Sequence, residues 1–272
     1  MDLHTHTKYS DSYTNPFTLV KKARKLGVGL AVTDHNDIRG SLEASKNMLG
    51  VPVIPAMEVG VREGPHLLLY FYNIREMVDF YEKHVRPFKT RNPSHNLSLS
   101  IIELLARIKQ YNCVVALAHP HGINYFNFYR LLKQLPGTKQ LLRNINALEV
   151  ISGACLRSMN VKSAELCKAL HKSFVGGSDC HVASAFGCVL TYSEAETTDK
   201  FLENILDKDN FIVGREHKFV GRLHQYSSVT TRHLRYPVAS LGRYYDYTIR
   251  QNMKRIKPKI IQPIMKIING LL

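Results

Sequence analysis

Two short histidine-containing motifs stand near the two ends of the main body of the sequence. His4 and His6 are two residues apart, and Asp179 and His181 repeat that spacing. On a β-strand, residues i and i+2 point to the same face, so each pair could bind one ion. Imidazole and carboxylate side chains are ligands for divalent transition metals such as Zn, Mn or Fe. The two motifs therefore predict a metal site.

Four further residues of the same types stand at the ends of short apolar runs. His35, Glu58 and His119 follow such runs, and His66 opens one. Strand ends on one face of an α/β barrel converge in space, and active sites of these barrels lie at that rim. One isolated histidine would be read as structural. Their repeated occurrence at strand ends instead favours a shared metal-dependent active site.

The elements that would position these residues follow a βα rhythm. Short β-branched runs alternate with segments of helical period along the 272 residues, as expected for an α/β fold. The pattern predicts a distorted (β/α)7-type barrel over residues 1–214 and a basic, apolar-striped C-terminal extension over residues 215–272. The short link 58–66, EVGVREGPH, could form a hairpin that breaks the strict alternation.

Composition limits the class of protein. No stretch approaches the roughly 20 apolar residues of a membrane span, so a cytoplasmic protein is expected. The five cysteines form no CxxC pair, and their odd number argues against a disulfide framework. We interpret them as small buried hydrophobic residues.

The net charge of +15 is concentrated in the extension. Residues 215–272 contain 12 of the 37 Lys and Arg residues and 2 of the 22 Asp and Glu residues, a net charge of +10. An apolar stripe interrupted by Pro258 and Pro263 runs between these charges. Three interpretations remain open: a cap or contact between copies of the chain, an anionic membrane surface that would make the protein peripheral to the membrane, or nucleic acid.

Six segments resemble, in order and spacing, the motifs of the PHP (polymerase and histidinol phosphatase) family. They are DLHTHTKYSDS, VTDHND, AMEVG, the histidine of GPHLLLYF, AHPHG and GGSDCH. The resemblance covers roughly residues 1–195 and is closest to the small stand-alone members. It implies a metal-dependent phosphoesterase with two or three divalent metal ions.

The resemblance also implies how the ligands are shared. One ion would be bound by His4, His6, Glu58 and Asp179, and Glu58 would bridge to a second ion. The remaining ligands are His66 and His119 for the second ion, and Asp11, His35 and His181 for the third. All nine ligand positions of the family are filled.

Four more residues are candidates for roles around the metals. Asp34, beside a ligand, is expected either to orient an imidazole or to be a structural aspartate. His121 is the first candidate to protonate the leaving group and Arg157 the second, although His121 occupies a position that is commonly glycine in related phosphatases. Arg39 and Arg157 are candidates for binding substrate phosphate.

The function predicted from these residues is hydrolysis of a small phosphorylated substrate, such as a nucleotide or another phosphomonoester, or of an oligonucleotide. The hypothesis is that a metal-bridging hydroxide attacks phosphorus. Two alternatives stay open. An amidohydrolase also begins with HxH but typically bridges its metals with a carboxylated lysine, whereas the bridging position here is Glu58. A metal-binding regulator without catalysis is the second alternative.

Overall fold

A computed structural model describes residues 1–46, 49–90, 92, 95–122, 128, 138–217 and 219–233. The chain separates into two compact units, Met1–Arg232 and His233–Leu272. Apart from His233, the second unit lies outside the described residues, so the predicted roles of the basic extension beyond this point remain predictions. The domain boundary at Gly214 also remains a prediction.

The described strands form three separate sheets. The first is parallel, in the order β1 (Asp2–Thr5), β2 (Leu30–Val32), β3 (Val53–Ile54). The second has five strands, β4 (Ala56–Gly60), β5 (His66–Phe71), β6 (Cys113–Leu117), β7 (Ala147–Ser152) and β8 (Ser173–Gly177). The third pairs β9 (Val189–Tyr192) with β10 (Phe211–Gly214).

The α/β class is confirmed, but the prediction of a closed barrel is wrong. β4 pairs with β5 and β5 with β6 in antiparallel register. The hairpin considered from the sequence is therefore real, because the few residues between β4 and β5 are too short for a crossover helix. Two isolated bridges, Thr5 to Cys180 and His35 to Glu58, are the points where the first two sheets meet.

Eight α-helices are described. They are α1 (Pro16–Leu26), α2 (Arg39–Lys46), α3 (Ile74–Phe80), α4 (Ile101–Ile108), α5 (Thr138–Arg143), α6 (Arg157–Ala169), α7 (Thr198–Asp207) and α8 (Phe219–His233). The ends of α1 match the sequence signals, since Asn15 caps its start, Pro16 is its first residue and Gly27 adopts a left-handed conformation after it. Among the described residues, no helix is long and apolar enough to cross a membrane.

The core places the polar site inside an apolar frame. Leu68, Tyr70, Ala116 and Val175 are fully buried on three strands of the five-stranded sheet. A fully buried large apolar side chain stabilises the fold by roughly 1.5–3 kcal/mol, which offsets the cost of burying charged groups nearby. All five cysteines are free, and three of them are buried, as expected for structural residues.

Candidate metal centre

The structure brings all nine predicted ligands together. They form four overlapping groups, within each of which one ligand atom per residue lies within 4.8 Å of the others. The groups are His6, Asp11, His35 and His181; His4, His6 and Glu58; His4, His119 and Asp179; and His35, Glu58 and His66. Residues separated by up to 177 positions in the chain (His4 to His181) therefore share one polar cluster.

Glu58 lies at the centre of this cluster, and its two oxygens face different histidines. Oε1 lies 2.9 Å from Nδ1 of His66 and 3.3 Å from Nε2 of His119. Oε2 lies 3.4 Å from Nε2 of His4 and 3.5 Å from Nε2 of His6. A carboxylate placed between two pairs of imidazoles has the arrangement needed to bridge two cations.

Two aspartates complete the cluster on the side of His181. Oδ1 of Asp179 lies 3.3 Å from Nε2 of His6 and 3.6 Å from Nε2 of His4. Oδ1 of Asp11 lies 3.1 Å from Nε2 of His181, and its Oδ2 lies 3.3 Å from Nε2 of His35. Asp11 thus joins the two histidines with which the resemblance grouped it.

The backbone around the cluster is unusual. Asp179 and His119 have positive φ angles, of 50° and 27°, a region that residues other than glycine seldom adopt. Gly177 allows β8 to approach β1 closely, because a Cβ at Gly177 would lie 2.5 Å from Cβ of His4. Sparsely populated backbone conformations persist where the surrounding structure holds them, and they concentrate at functional sites.

Part of the cluster has protonation states suited to binding cations, whereas at His4, His35, His119 and His181 burial is outweighed by the acidic neighbours, which raise the pKa. Burial, together with a smaller effect of positive charge on His181, lowers the pKa of His6 to about 3. Burial also lowers the pKa of His66 to about 4. Burial alone would raise the pKa of Glu58, but the imidazoles led by His35 hold it well below its usual range. Neutral imidazoles and an ionised carboxylate are the forms that bind metal ions.

The nitrogen and oxygen atoms of the cluster are arranged for binding metal ions rather than for hydrogen bonds with each other. Nδ1 of His35 and Oε2 of Glu58 lie 2.8 Å apart, yet neither forms a hydrogen bond of acceptable geometry within the described residues. Oδ1 of Asp11 and Oδ1 of Asp179 are likewise buried without such a bond. Buried polar atoms are nearly always paired, so lone pairs that converge without hydrogen bonds indicate a site for cations.

The family model for the PHP domain matches residues 2–214. The chain belongs to the PHP domain family. An uncharacterized protein of Methanocaldococcus jannaschii is 39% identical over 83 residues, which are 25% of this chain and 48% of that protein. The chain therefore matches about half the length of this relative.

Solved structures share the fold of this PHP chain. The lesion-specific endonuclease EndoQ of Pyrococcus furiosus has a TM-score of 0.61 at 22% identity, covering 78% of this chain and 56% of that one. A two-domain protein of Bacteroides vulgatus with a predicted PHP-like metal-dependent phosphoesterase gives 0.56 at 16%, covering 79% and 64%. An amidohydrolase of Chromobacterium violaceum gives 0.54 at 17%, covering 78% and 97%.

Two residues that the sequence analysis missed contact predicted ligands in the PHP domain. Oε1 of Glu149 lies 2.9 Å from Nδ1 of His4, and its Oε2 accepts the backbone N–H of His119 at 2.8 Å. Oδ1 of Asn96 lies 3.3 Å from Nε2 of His66. The signal for Glu149 was a carboxylate inside the apolar strand ALEVIS. Asn96 gave no such signal.

Asp34 is buried, but its contacts support the structural alternative rather than a direct contact with an imidazole. Its carboxylate accepts hydrogen bonds from the backbone N–H and hydroxyl of Thr7 and from the hydroxyl of Ser10. Burial raises the pKa of Asp34 to about 6. The carboxylate of Asp34 approaches His6 through the hydroxyl of Ser10, which lies 3.5 Å from Nδ1 of His6, and the backbone carbonyl of Asp34 accepts the N–H of Glu58 at 3.3 Å.

The other predicted residues lie outside the four ligand groups. Nδ1 of His121 lies 3.4 Å from the hydroxyl of Ser163 on α6. Arg157 begins α6, and its side chain is 81% exposed, 3.6 Å from Glu216. Arg39 makes two hydrogen bonds to Asp37, and its guanidinium lies 4.7 Å from the centre of the Tyr9 ring. Their catalytic and substrate-binding roles remain predictions.

Helix α8, beyond the matched domain, also contacts a ligand. The backbone N–H of His181 donates to Oε1 of Gln225 at 2.7 Å. The carbonyl of His181 accepts from the hydroxyl of Ser12 at 2.7 Å and of Ser228 at 3.4 Å. No sequence motif indicated this contact.

Proposed function

We propose that this PHP protein is a metal-dependent hydrolase of phosphate esters, with nucleotides, other small phosphomonoesters or short oligonucleotides as substrates. The observation that carries the proposal is the position of Glu58 between two sets of histidines. Family membership supports it, as does a fold shared with an endonuclease and with a protein containing a predicted phosphoesterase.

Each side chain of the cluster has a defined part in this proposal. His4, His6 and Asp179 would hold one divalent ion, and Glu58 would connect it to a second. The other ligands would be His66 and His119 for the second ion and Asp11, His35 and His181 for a third, with Mn, Zn or Fe as candidates. Ions bound there would acidify a water and neutralise charge on the phosphate oxygens.

The residues around the ligands would bind the ester and assist departure of the leaving group. The guanidinium of Arg157 is exposed and 3.6 Å from Glu216, so it could turn toward an anion, whereas that of Arg39 lies 2.9 Å from Asp37. Burial lowers the pKa of His121, which favours a neutral ring near pH 7. His121 stays the first candidate to assist departure of the leaving group, with Arg157 as the second.

A nucleic acid or nucleotide substrate is the finer part of the proposal. EndoQ, which shares the fold, has been solved with a 27-mer duplex substrate carrying an abasic lesion at the active site. The basic extension, with its net charge of +10, would attract a polyanion by counterion release. A small phosphomonoester needs no such extension, so the two substrate types predict different effects of salt.

The test is a substrate panel with the purified full-length chain in Mn²⁺ or Zn²⁺. It includes nucleoside monophosphates, bisphosphates, short oligonucleotides, sugar phosphates and, for the amidohydrolase alternative, cyclic amides. Metal-dependent release of phosphate or cleavage of an oligonucleotide supports the proposal. Cleavage of C–N bonds alone favours the amidohydrolase, and metal binding without turnover of any substrate favours the regulator.

A further inference from the structure

The intrinsic backbone preferences of the segment that carries Asp179 and His181 do not explain its conformation. Asp179 adopts a left-handed backbone conformation, with φ at 50°, which costs free energy in an L-residue. His181 follows two residues later and contributes its ring to the group with His6, Asp11 and His35. The position of this ring therefore depends on contacts made to the segment from elsewhere in the fold.

The backbone of His181 receives those contacts from two directions. Ser12, next to the ligand Asp11, donates to its carbonyl from one side. Gln225 and Ser228, three residues apart on α8 and so on one face of the helix, hold its N–H and its carbonyl from the other side. Gln225 is 3% exposed and Ser228 is 9% exposed. A buried N–H requires an acceptor, and Oε1 of Gln225 supplies it.

We propose that Gln225 is a positioning residue for the metal centre, and that α8 is therefore a working part of the site although it follows the matched PHP domain. By accepting the N–H of His181, Gln225 fixes the backbone from which the imidazole reaches the ion shared with Asp11 and His35. The inference rests on the proposed metal centre. It adds that this chain needs residues after 214 to complete that centre.

Substitutions at Gln225 can distinguish a role in positioning His181 from a role in packing alone. An apolar side chain in place of Gln225 could fill the same volume but would leave the N–H of His181 buried and unpaired. The Nε2 group of Gln225 is itself buried and forms no hydrogen bond within the described residues. The amide is therefore held at this position by the bond to His181, and removing its oxygen is the informative change.

The experiment compares Gln225→Leu, Gln225→Asn and Gln225→Glu with Thr230→Val in the full-length chain. Thr230 is on the same helix and its hydroxyl bonds to Tyr226, so it controls for general damage to α8. Gln225→Asn shortens the side chain by one carbon yet stays polar, which guards against failure to fold. Gln225→Glu keeps an acceptor for the N–H. The readouts are Mn²⁺ titration by calorimetry, the Co²⁺ absorption spectrum and thermal unfolding of metal-free protein.

We expect Gln225→Leu and Gln225→Asn to weaken the lowest-affinity Mn²⁺ site about 10- to 100-fold, the range for loss of a residue that orients a ligand. The Co²⁺ spectrum should change, whereas Gln225→Glu and Thr230→Val should stay near the wild type. Unchanged Mn²⁺ affinity in both Leu and Asn variants would overturn the inference, whatever their stability. A wild type that binds no metal would instead overturn the proposed function.

Discussion

Nδ1 of His4 and Oε1 of Glu149 lie 2.9 Å apart, and both side chains are fully buried. A carboxylate can only accept, so Nδ1 of His4 carries the proton and Nε2 is left to face Glu58 and Asp179. The same carboxylate accepts the backbone N–H of His119 through its second oxygen. Glu149 thus fixes one ligand through its ring and another through its backbone.

Replacing Glu149 by glutamine tests this double contact. An amide has one oxygen, so either the ring N–H of His4 or the backbone N–H of His119 loses its acceptor. We expect metal affinity to fall about 10- to 100-fold, with a parallel loss of turnover at limiting metal. Titration of the metal-free variant with Mn²⁺ measures this change.

Glu76→Gln is the matched control, because Glu76 also accepts a backbone N–H, from Asn112, but does so outside the cluster. It should leave metal affinity within about twofold of the wild type. Equal effects of the two substitutions would show that Glu149 has no special relation to the ligands.

A second prediction concerns Asp34 and the loop that carries Asp11. Asp34→Asn removes the negative charge that accepts from Thr7 and Ser10, and it leaves one acceptor oxygen where the carboxylate has two. The free energy of unfolding of metal-free protein should fall by about 1–3 kcal/mol, and urea denaturation measures it.

This deficit should depend on pH. The pKa of Asp34 is about 6 in the folded protein, above its ordinary value of 3.8. Folding then favours the protonated form, so the wild type loses stability relative to the Asn variant as pH rises from about 4 to about 6. The deficit should therefore be larger at pH 5 than at pH 7. A deficit that is equal at pH 5 and pH 7, or larger at pH 7, would show that the pKa of Asp34 is not raised in the folded protein.

The sequence predicted the residues of the site better than the fold that positions them. The nine predicted ligands could be picked out because their types recur at strand ends in a known order, and the structure places them in one cluster. The sequence predicted a barrel that the structure does not contain. The antiparallel pairing of Glu58 with Leu68 depends on tertiary contacts, which the periodicity of the sequence does not encode. The contact from Gln225 was missed for the same reason, because a lone glutamine on a helix has no chemical signature until the fold brings it to His181.

Two truncated chains distinguish the role of α8 from that of the residues that follow it. Every predicted ligand precedes Gly214, so the ligand positions by themselves would allow full activity in a chain ending there. The bonds from Gln225 and Ser228 to His181 now predict loss of metal affinity in that chain. A chain ending at His233 should keep the affinity of the full-length protein. If the two truncated chains bind Mn²⁺ equally well, α8 does not support the site.

The charge of the remaining extension gives a separate prediction. The full-length protein should bind an oligonucleotide with an affinity that falls as salt rises, because binding releases counterions, and the chain ending at His233 should bind it far more weakly. Fluorescence anisotropy at two salt concentrations measures this. Salt-dependent binding of anionic vesicles but not of the oligonucleotide would favour the membrane interpretation.

A Glu58 carboxylate that joins metal ions in a phosphoesterase site should be indispensable for turnover. The initial rate of ester hydrolysis is followed across a Mn²⁺ titration for the wild type, Glu58→Gln and Asp37→Asn. Asp37 is also buried and near the cluster, but it pairs with Arg39 and Lys89. We predict a saturable rate for the wild type, a rate lower by orders of magnitude for Glu58→Gln, and little change for Asp37→Asn. Equal rates in all three proteins, or none at any Mn²⁺ concentration, would contradict the account.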